Sequence, residues 1–210
     1  ILFLTLVVSI FILPKAIRVH KIKTLYDKDK IVYNFTNMDK IFPSRNIKAS
    51  EEPKPIKRNI QTLPETFSFE GETKNLQEYL DYFWSDGMIV IHKDEIVYEN
   101  YWLGNNETKK HISWSVAKSF ISALVGIALE EGLIDSLEDP ITKYLDDFKD
   151  TGYDNVSIKD ILQMSTGVLF NEDYADNNSD INRFGRAIAT GTSMRDFSKT
   201  LTREKEPGTY

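Results

Sequence analysis

The most constraining feature of the sequence is a hairpin pattern that leads into a long apolar helix pattern. Met88–Ile91 and Ile96–Leu103 are rich in β-branched and aromatic residues, and the polar residues 92–95 between them predict a β-hairpin turn. From Val116 to Glu131 apolar residues recur at helical spacing, and Gly132 predicts the end of that helix. The face that carries Phe120, Ile121, Leu124, Val125 and Ala128 is expected to be buried. The chain therefore combines antiparallel strands with helices.

Further helices are predicted on both sides of this pair. Leu76, Tyr79, Leu80 and Phe83 lie on one helical face, and Thr73 has the chemistry of an N-cap before them. Residues 171–182 are acidic, rich in Asn and without periodicity, which predicts a loop. The whole pattern predicts an α+β, α/β-layered domain with an antiparallel sheet. Three more short helices are expected, at 141–145, 158–164 and 194–201.

The chain divides into three stretches of different character. Residues 1–14 are apolar, and residues 15–66 mix Lys, Asp and Asn with isolated aromatic residues, which predicts an extended arm or linker. Residues 67–210 carry the globular pattern and are long enough to bury a core.

The apolar run at the start of the chain predicts contact with a membrane. Residues 1–13 carry no charge, and four basic residues follow between positions 15 and 23. The run fits the h-region of a signal peptide, about 7–15 residues long, or a truncated transmembrane helix of about 20 residues. No small-residue cleavage site follows, which favours a signal anchor, and the absence of a polar face disfavours a buried core helix. We expect a protein that is anchored to or exported across a membrane, as in a bacterial periplasm or cell envelope.

Composition excludes several classes of function. The net charge is −6 and no basic patch dominates, which argues against nucleic-acid binding. The absence of cysteine excludes disulfides, thiolate zinc sites and a cysteine nucleophile. His20, His92 and His111 share no metal-like spacing, and acidic residues 172–180 lack the ordered pattern of a calcium loop. The sequence implies no metal and no organic cofactor.

Ser115-Val116-Ala117-Lys118 matches the S-x-x-K motif of serine hydrolases. With 15 Ser and 19 Lys among 210 residues, chance alone supplies about 1.4 such matches. The position of this match is more informative, because it lies in the first turn of the most apolar helix. Residues three apart share a helix face, with Cβ atoms about 5–6 Å apart, so the lysine can reach the serine hydroxyl.

Two interpretations of this pair remain open from spacing alone. In the first, Lys118 is neutral and serves as a base for Ser115. The helix dipole favours this, and so does desolvation by the apolar neighbours Trp114, Val116, Ala117 and Phe120. The backbone N–H of Ser115 would then donate to the oxyanion that develops during acyl transfer. In the second, Ser115 only caps the helix and Lys118 extends to solvent.

The segment His111–Phe120 closely resembles the nucleophile segment of the serine β-lactamase-related and penicillin-binding-protein-like family. Members include class C β-lactamases, D-alanyl-D-alanine carboxypeptidases, esterases and 6-aminohexanoate-dimer hydrolases. Three later segments resemble the family's patterns in the same order. They are Glu130–Pro140 (G-x-[IL]-x-L-[DE]-D-P), Ser157–Val168 (T-I-R-x-L-L-x-H-T-S-G-L) and Pro207–Thr209 (P-G-T).

The resemblance implies a β-lactamase/transpeptidase-like fold and a serine hydrolase that acts on an amide or ester of a small molecule or peptide. Ser115 is the expected nucleophile of an acyl-enzyme, and Lys118 is its expected base. The oligomeric state and the substrate stay open. A non-catalytic, membrane-anchored binding or sensor domain on the same fold is the alternative.

The sequence departs from the family pattern in three respects. Tyr210 follows Thr209 too closely to be the tyrosine of the family's second motif, and the third motif, Lys/His-x-Gly, is expected beyond residue 210. Met164 stands where the family frequently has histidine. We therefore expect a chain truncated at both ends, in which residues 67–210 are the N-terminal part of the hydrolase domain and are inactive alone.

Overall fold

The computed structural model of the protein describes residues 8–209. The chain forms two compact units. The first unit is residues 24–112, and the second unit combines the residues up to Lys23 with those from Ser113 onward. Helices and mixed sheets are both present, so the predicted α+β class is confirmed. In chain order the helices are α1 (Leu13–Lys23), α2 (Ile31–Thr36), α3 (Leu76–Tyr82), α4 (Ala117–Glu130), α5 (Ile158–Leu162), α6 (Asp180–Thr190) and α7 (Met194–Ser198), and the strands are β1 (Lys57–Arg58), β2 (Thr66–Phe69), β3 (Glu72–Asn75), β4 (Gly87–His92) and β5 (Glu95–Tyr101).

The predicted hairpin is confirmed in the unit of residues 24–112. Strands β4 and β5 pair antiparallel, with Gly87 opposite Tyr101 at one end. Lys93 and Asp94 form the turn with φ angles of 50° and 62°. Two consecutive positive φ angles define a type I′ turn, whose twist matches that of the flanking strands. Strand β5 lies in the centre of this sheet, because β1 pairs with its other edge in parallel.

The second sheet of this unit corrects the predicted start of helix α3. Strands β2 and β3 form an antiparallel pair, and Thr73 lies inside β3 rather than at a helix N-cap. Asn75 is the N-cap instead, and its side chain accepts a hydrogen bond from the Glu78 backbone N–H at 3.0 Å. Both residues can cap a helix, and the strand pairing decides which of them does.

Residues 15–66, expected to form an extended arm, contain regular structure. Helices α1 and α2 lie in this stretch, and β1 adds a strand to the sheet. Leu25 and Ile41 are buried. The buried Asn34 side chain donates to the Thr24 and Leu25 carbonyls at 3.1 and 3.0 Å, which fixes the turn before α2. Within the stretch predicted as an arm or linker, residues 44–56 have no helix or strand.

The apolar run at the start of the chain is described only in part. Residues 1–7 lie outside the described residues, and a π-helical turn, Val8–Ile12, leads into α1. Ile10, Ile12, Leu13 and Ile17 are each about half exposed, at 53, 55, 51 and 47%. From residue 8 to residue 209, the structure has no helix that combines the length and the apolar character needed to cross a bilayer.

The second unit has a small apolar core formed by residues in and next to α5 and α7. Val156 is completely buried, and Phe148, Ile158, Phe197 and Leu201 are nearly so. These residues come from the loop before α5, from α5 itself and from α7 and the residues that follow it. The core therefore includes Ile158 from the stretch 157–168 together with residues that precede and follow that stretch.

Helix α6 begins inside the stretch predicted to be a loop. Asp180 is buried, accepts from the Asn171 backbone N–H at 2.9 Å and pairs with Arg183 at 2.6 Å. Ser179 is the N-cap of this helix, and Gly191 ends it with a φ of 103°. The Ser-Asp start and the glycine end are the sequence signals that could have located the helix.

Helix α4 forms where it was predicted, but the expected burial of one face is wrong for the described part of the chain. Phe120, Ile121 and Leu124 are 67, 57 and 59% exposed, and none of the helix residues is buried. Periodicity identifies an apolar face, but it does not say which residues cover that face.

Candidate active site

Ser115 and Lys118 meet at the start of α4. Lys118 Nζ donates a hydrogen bond to Ser115 Oγ at 2.8 Å. Ser115 lies in a 3₁₀ turn, Trp114–Val116, and Lys118 lies in the first turn of α4, which follows without a break. The three-residue spacing places both side chains on one face, as the sequence predicted.

The geometry argues against the capping role of Ser115, but not against the extension of Lys118 to solvent, since Lys118 is exposed. Neither the 3₁₀ turn nor α4 has a side-chain hydrogen bond at its N-cap, so Ser115 does not cap the helix. Its hydroxyl oxygen instead accepts from Lys118. A distance of 2.8 Å suits either direction of donation, so the same contact allows a neutral lysine to accept the serine proton.

The surroundings of Lys118 are open to solvent. Within residues 8–209, no carboxylate lies at ion-pair distance from its Nζ. Lys118 itself is exposed. Trp114, Val116 and Phe120, which were expected to desolvate it, are 46, 63 and 67% exposed. Desolvation of this lysine therefore requires groups other than these neighbours.

The backbone N–H of Ser115 is also available at this site. In the described part of the chain, no backbone or side-chain oxygen accepts a hydrogen bond from it. The N–H groups of the first turn of a helix have no partner within the helix, and they point outward beyond its N-terminal end. This donor is therefore available to an oxygen atom of a bound molecule that lies at the start of the helix.

The second segment of the resemblance packs against the third. Pro140 and Ser157 form an isolated antiparallel bridge, and the Ile158 backbone N–H donates to the Asp139 carbonyl at 3.0 Å. Asp139 is held in turn by the Tyr144 hydroxyl at 2.6 Å and by Lys143 at 2.9 Å. The Tyr144 hydrogen bond and then the Lys143 ammonium lower the pKa of Asp139 below its ordinary value. This aspartate therefore has a structural role.

The third segment packs in turn against the fourth. Val168 and Arg203 form an isolated antiparallel bridge, and the Gly208 backbone N–H donates to the Ser165 carbonyl at 2.7 Å. The Gly167 carbonyl accepts from the backbone N–H groups of Glu204 and Lys205, at 2.9 and 3.0 Å. Three segments that are distant in sequence thus form one contiguous strip of the second unit.

The remaining residues singled out in the sequence have other surroundings. In the unit of residues 24–112, His111 Nε2 lies 3.3 Å from the Asp86 carboxylate, and His92 ends β4. Met164 is 69% exposed with a φ of 59°. Tyr210 lies outside the described residues.

The family follows from comparison with known sequences. A sequence model described as "Beta-lactamase" matches residues 75–210, which is more than half of the chain. The chain belongs to the beta-lactamase family. This confirms the resemblance carried by the four motif segments, all of which lie inside the matched range.

Two known proteins are similar to this beta-lactamase family member. A 6-aminohexanoate-dimer hydrolase from Paenarthrobacter ureafaciens is 30% identical over 118 residues, which are 56% of this chain and 30% of that protein. The solved structure of a putative 6-aminohexanoate-dimer hydrolase from Bacillus anthracis superposes with a TM-score of 0.75 at 21% identity, covering 88% of this chain and 51% of that one. The chain shares the fold of that structure and spans about half of its length.

Proposed function

We propose that the whole protein is a serine hydrolase that cleaves an amide or ester bond through an acyl-enzyme. The observation that carries this proposal is the 2.8 Å contact between Ser115 Oγ and Lys118 Nζ at the start of an apolar helix. Membership of the beta-lactamase family and the names of both relatives, each called a hydrolase, support it.

The reaction divides into acylation and deacylation. Ser115 Oγ attacks the substrate carbonyl while its proton moves to Lys118 Nζ, directly or through another residue of the whole protein, and the carbonyl oxygen becomes an oxyanion near the Ser115 N–H. The oxyanion collapses, the carbon–nitrogen or carbon–oxygen bond breaks, and the leaving group takes the proton. Water then attacks the carbonyl carbon of the acyl ester while it gives a proton to Lys118. The bond to Ser115 Oγ breaks, the acid is released and the proton returns to Ser115.

A fluorophosphonate probe applied to the whole protein tests this assignment. We expect one phosphonyl adduct, located on Ser115 by peptide mass spectrometry, and loss of both the adduct and turnover in Ser115→Ala. Lys118→Met removes the base but keeps the length of the side chain, and we expect it to lower the labelling rate by about 100-fold or more. Ser122→Ala, an exposed serine of the same helix, is the matched control and keeps the labelling rate.

The outcomes of this experiment are distinct. An adduct on another residue, or full turnover in Ser115→Ala, contradicts the proposal. Acylation of Ser115 by amide and ester substrates without release of the acid assigns the fold to binding or sensing instead of hydrolysis.

We propose further that residues 1–210 do not turn over substrate when expressed alone. Ser115 and Lys118 are exposed in the described part of the chain, and the apolar face of α4 is open to solvent. An acyl-transfer site needs an environment from which water is excluded. Steady-state hydrolysis of p-nitrophenyl acetate by the purified 210-residue chain, lost in Ser115→Ala, would contradict this.

For localisation, we propose that the apolar start of the chain anchors the protein to a membrane or directs its export. The uncharged run of residues 1–13 and the basic residues that follow support this. Fractionation of cells that produce the whole protein tests it. Recovery in the membrane fraction indicates an anchor, recovery of a shortened protein outside the cytoplasm indicates a cleaved signal, and recovery in the cytosol contradicts both.

A further inference from the structure

A small pocket in the first unit combines aromatic rings with one carboxylate. Its volume is about 220 Å³, and its wall includes Phe35, Phe83, Trp84, Asp86 and His111. All five residues belong to the unit of residues 24–112, whereas Ser115 and Lys118 belong to the second unit. The proposed catalytic pair therefore does not account for this pocket.

Ring contacts hold two of the aromatic side chains in place. Phe35 packs edge to face against both Tyr26 and His111, with ring centroids 5.9 Å apart in each pair. Phe83 packs against Tyr79 with centroids 4.7 Å apart. Side chains that are fixed before a ligand arrives lose little conformational freedom when it binds. This part of the pocket wall is therefore already in place without a ligand.

The third ring already accepts a positive charge from the protein itself. Lys28 Nζ lies over the Trp84 ring, 5.4 Å from its centroid. The face of an aromatic ring is electron-rich, and it attracts a cation within about 6 Å of the centroid. Because Trp84 is still 41% exposed, its ring has surface left for a second cation.

Asp86 adds a negative charge that is poorly compensated. Its side chain is only 16% exposed, and within residues 8–209 His111 is the one cationic partner at ion-pair distance, with Nε2 3.3 Å from the carboxylate. His111 Nδ1 lies 2.8 Å from the Ile112 carbonyl oxygen, which can only accept, so Nδ1 carries the proton of a neutral ring. A neutral His111 then directs an unprotonated Nε2 towards Asp86. A bound cation would remove the cost of this largely buried, uncompensated carboxylate.

We propose that this pocket binds a quaternary ammonium group, which the three aromatic rings and the Asp86 carboxylate recognise together. Such a group has no N–H donors, so it needs no further acceptors in a wall that is otherwise apolar. The volume lies below the range of about 300–1,000 Å³ that drug-sized ligands occupy, and it suits a small head group. A metal ion needs several ligands, and residues 8–209 contain no cluster of three or more histidine, aspartate or glutamate side chains placed to bind one.

Choline and 3,3-dimethyl-1-butanol test this proposal on the whole protein, because the two molecules have the same shape and only choline is charged. The protein is labelled with 5-fluorotryptophan, and the ¹⁹F signal of Trp84 is the one that Trp84→Phe removes. The titration is run at about pH 8.5, where histidine is ordinarily neutral. We expect a saturable shift of the Trp84 signal, with choline bound about tenfold or more tightly than the alcohol.

Two variants separate the charge from the rings. We expect Asp86→Asn to lower the affinity for choline about tenfold and to leave that for the alcohol unchanged. Asp94→Asn is the matched control, because it removes an equal charge from an exposed position of the same unit and should keep the native affinity. Phe35→Leu keeps an apolar side chain but removes a ring, and it should weaken choline about threefold or more while the alcohol binds as before.

Several results would overturn the proposal. Equal affinities for choline and the alcohol would show an apolar pocket without recognition of charge. No shift of the Trp84 signal with up to about 50 mM choline would show that the pocket does not bind the cation. Equal losses in Asp86→Asn and Asp94→Asn would show a general effect of net charge. The proposal does not depend on the proposed hydrolase function, since every readout is a binding measurement.

Discussion

Gly167 is the position at which one added methyl group should have the largest effect on stability. Its φ is +71°, and a Cβ added to it would lie 2.8 Å from the Lys205 carbonyl carbon and closer still to the carbonyl oxygen. Real Cβ atoms do not approach other heavy atoms so closely, and the obstacle is backbone, which cannot rotate away. Gly167→Ala must therefore push the segment that contains Lys205 away from the third motif segment.

The cost of this substitution has two parts. A left-handed alanine costs about 1–2 kcal/mol relative to glycine. The displacement also breaks the two hydrogen bonds that the Gly167 carbonyl accepts from Glu204 and Lys205, at 2.9 and 3.0 Å. Each such bond contributes about 0.5–1.5 kcal/mol net, so we expect Gly167→Ala to lower the free energy of unfolding by about 2–5 kcal/mol. That is a large fraction of the stability of an ordinary domain, about 5–15 kcal/mol.

Gly132 provides the matched control, because its φ is +70° and no atom of the described residues lies within 4 Å of the position that an added Cβ would take. Gly132→Ala should therefore cost only the conformational part, about 1–2 kcal/mol. The assay is urea unfolding of the whole protein, followed by circular dichroism, with the free energy taken from the midpoint and slope. Equal losses in the two variants would refute the close approach between the Gly167 and Lys205 backbones.

Three further predictions concern the second unit. Val156→Ala removes two methyl groups from a completely buried side chain, and it should lower the free energy of unfolding in urea by about 2–3 kcal/mol. A loss below about 0.5 kcal/mol is typical of a surface change and would contradict the burial of Val156. Ser157→Ala removes the α5 N-cap and should cost about 1 kcal/mol, with Ser157→Thr, which keeps the hydroxyl, restoring it. Hydrogen bonds from Arg195 and then Lys199 lower the pKa of Asp147, so its stabilising contribution is complete above pH of about 4 and is lost as the pH falls further. Urea midpoints between about pH 5 and pH 2 should fall less steeply in Asp147→Asn than in the native protein, and parallel curves would refute this coupling.

Local features of this protein are determined by its sequence alone. The β4–β5 hairpin follows from alternating β-branched residues around a polar turn, and α4 follows from apolar periodicity that ends at Gly132. The contact between Ser115 and Lys118 was predictable for the same reason, because three residues of helix bring two side chains together whatever surrounds them. The four motif segments identified the family because their order in the chain is itself a property of the sequence.

Only the tertiary structure decides features that depend on distant partners. The parallel pairing of β1 with β5 gives regular structure to a stretch that resembles a linker, and the pairing of β2 with β3 makes Asn75, instead of Thr73, the helix cap. The close approach of Gly167 to Lys205 joins segments that no local pattern connects. The left-handed backbone of Trp114 runs against the preference of its own side chain, so local propensity could not reveal it. Helical spacing brings Ser115 and Lys118 together, whereas long-range pairing decides which distant segments lie beside one another.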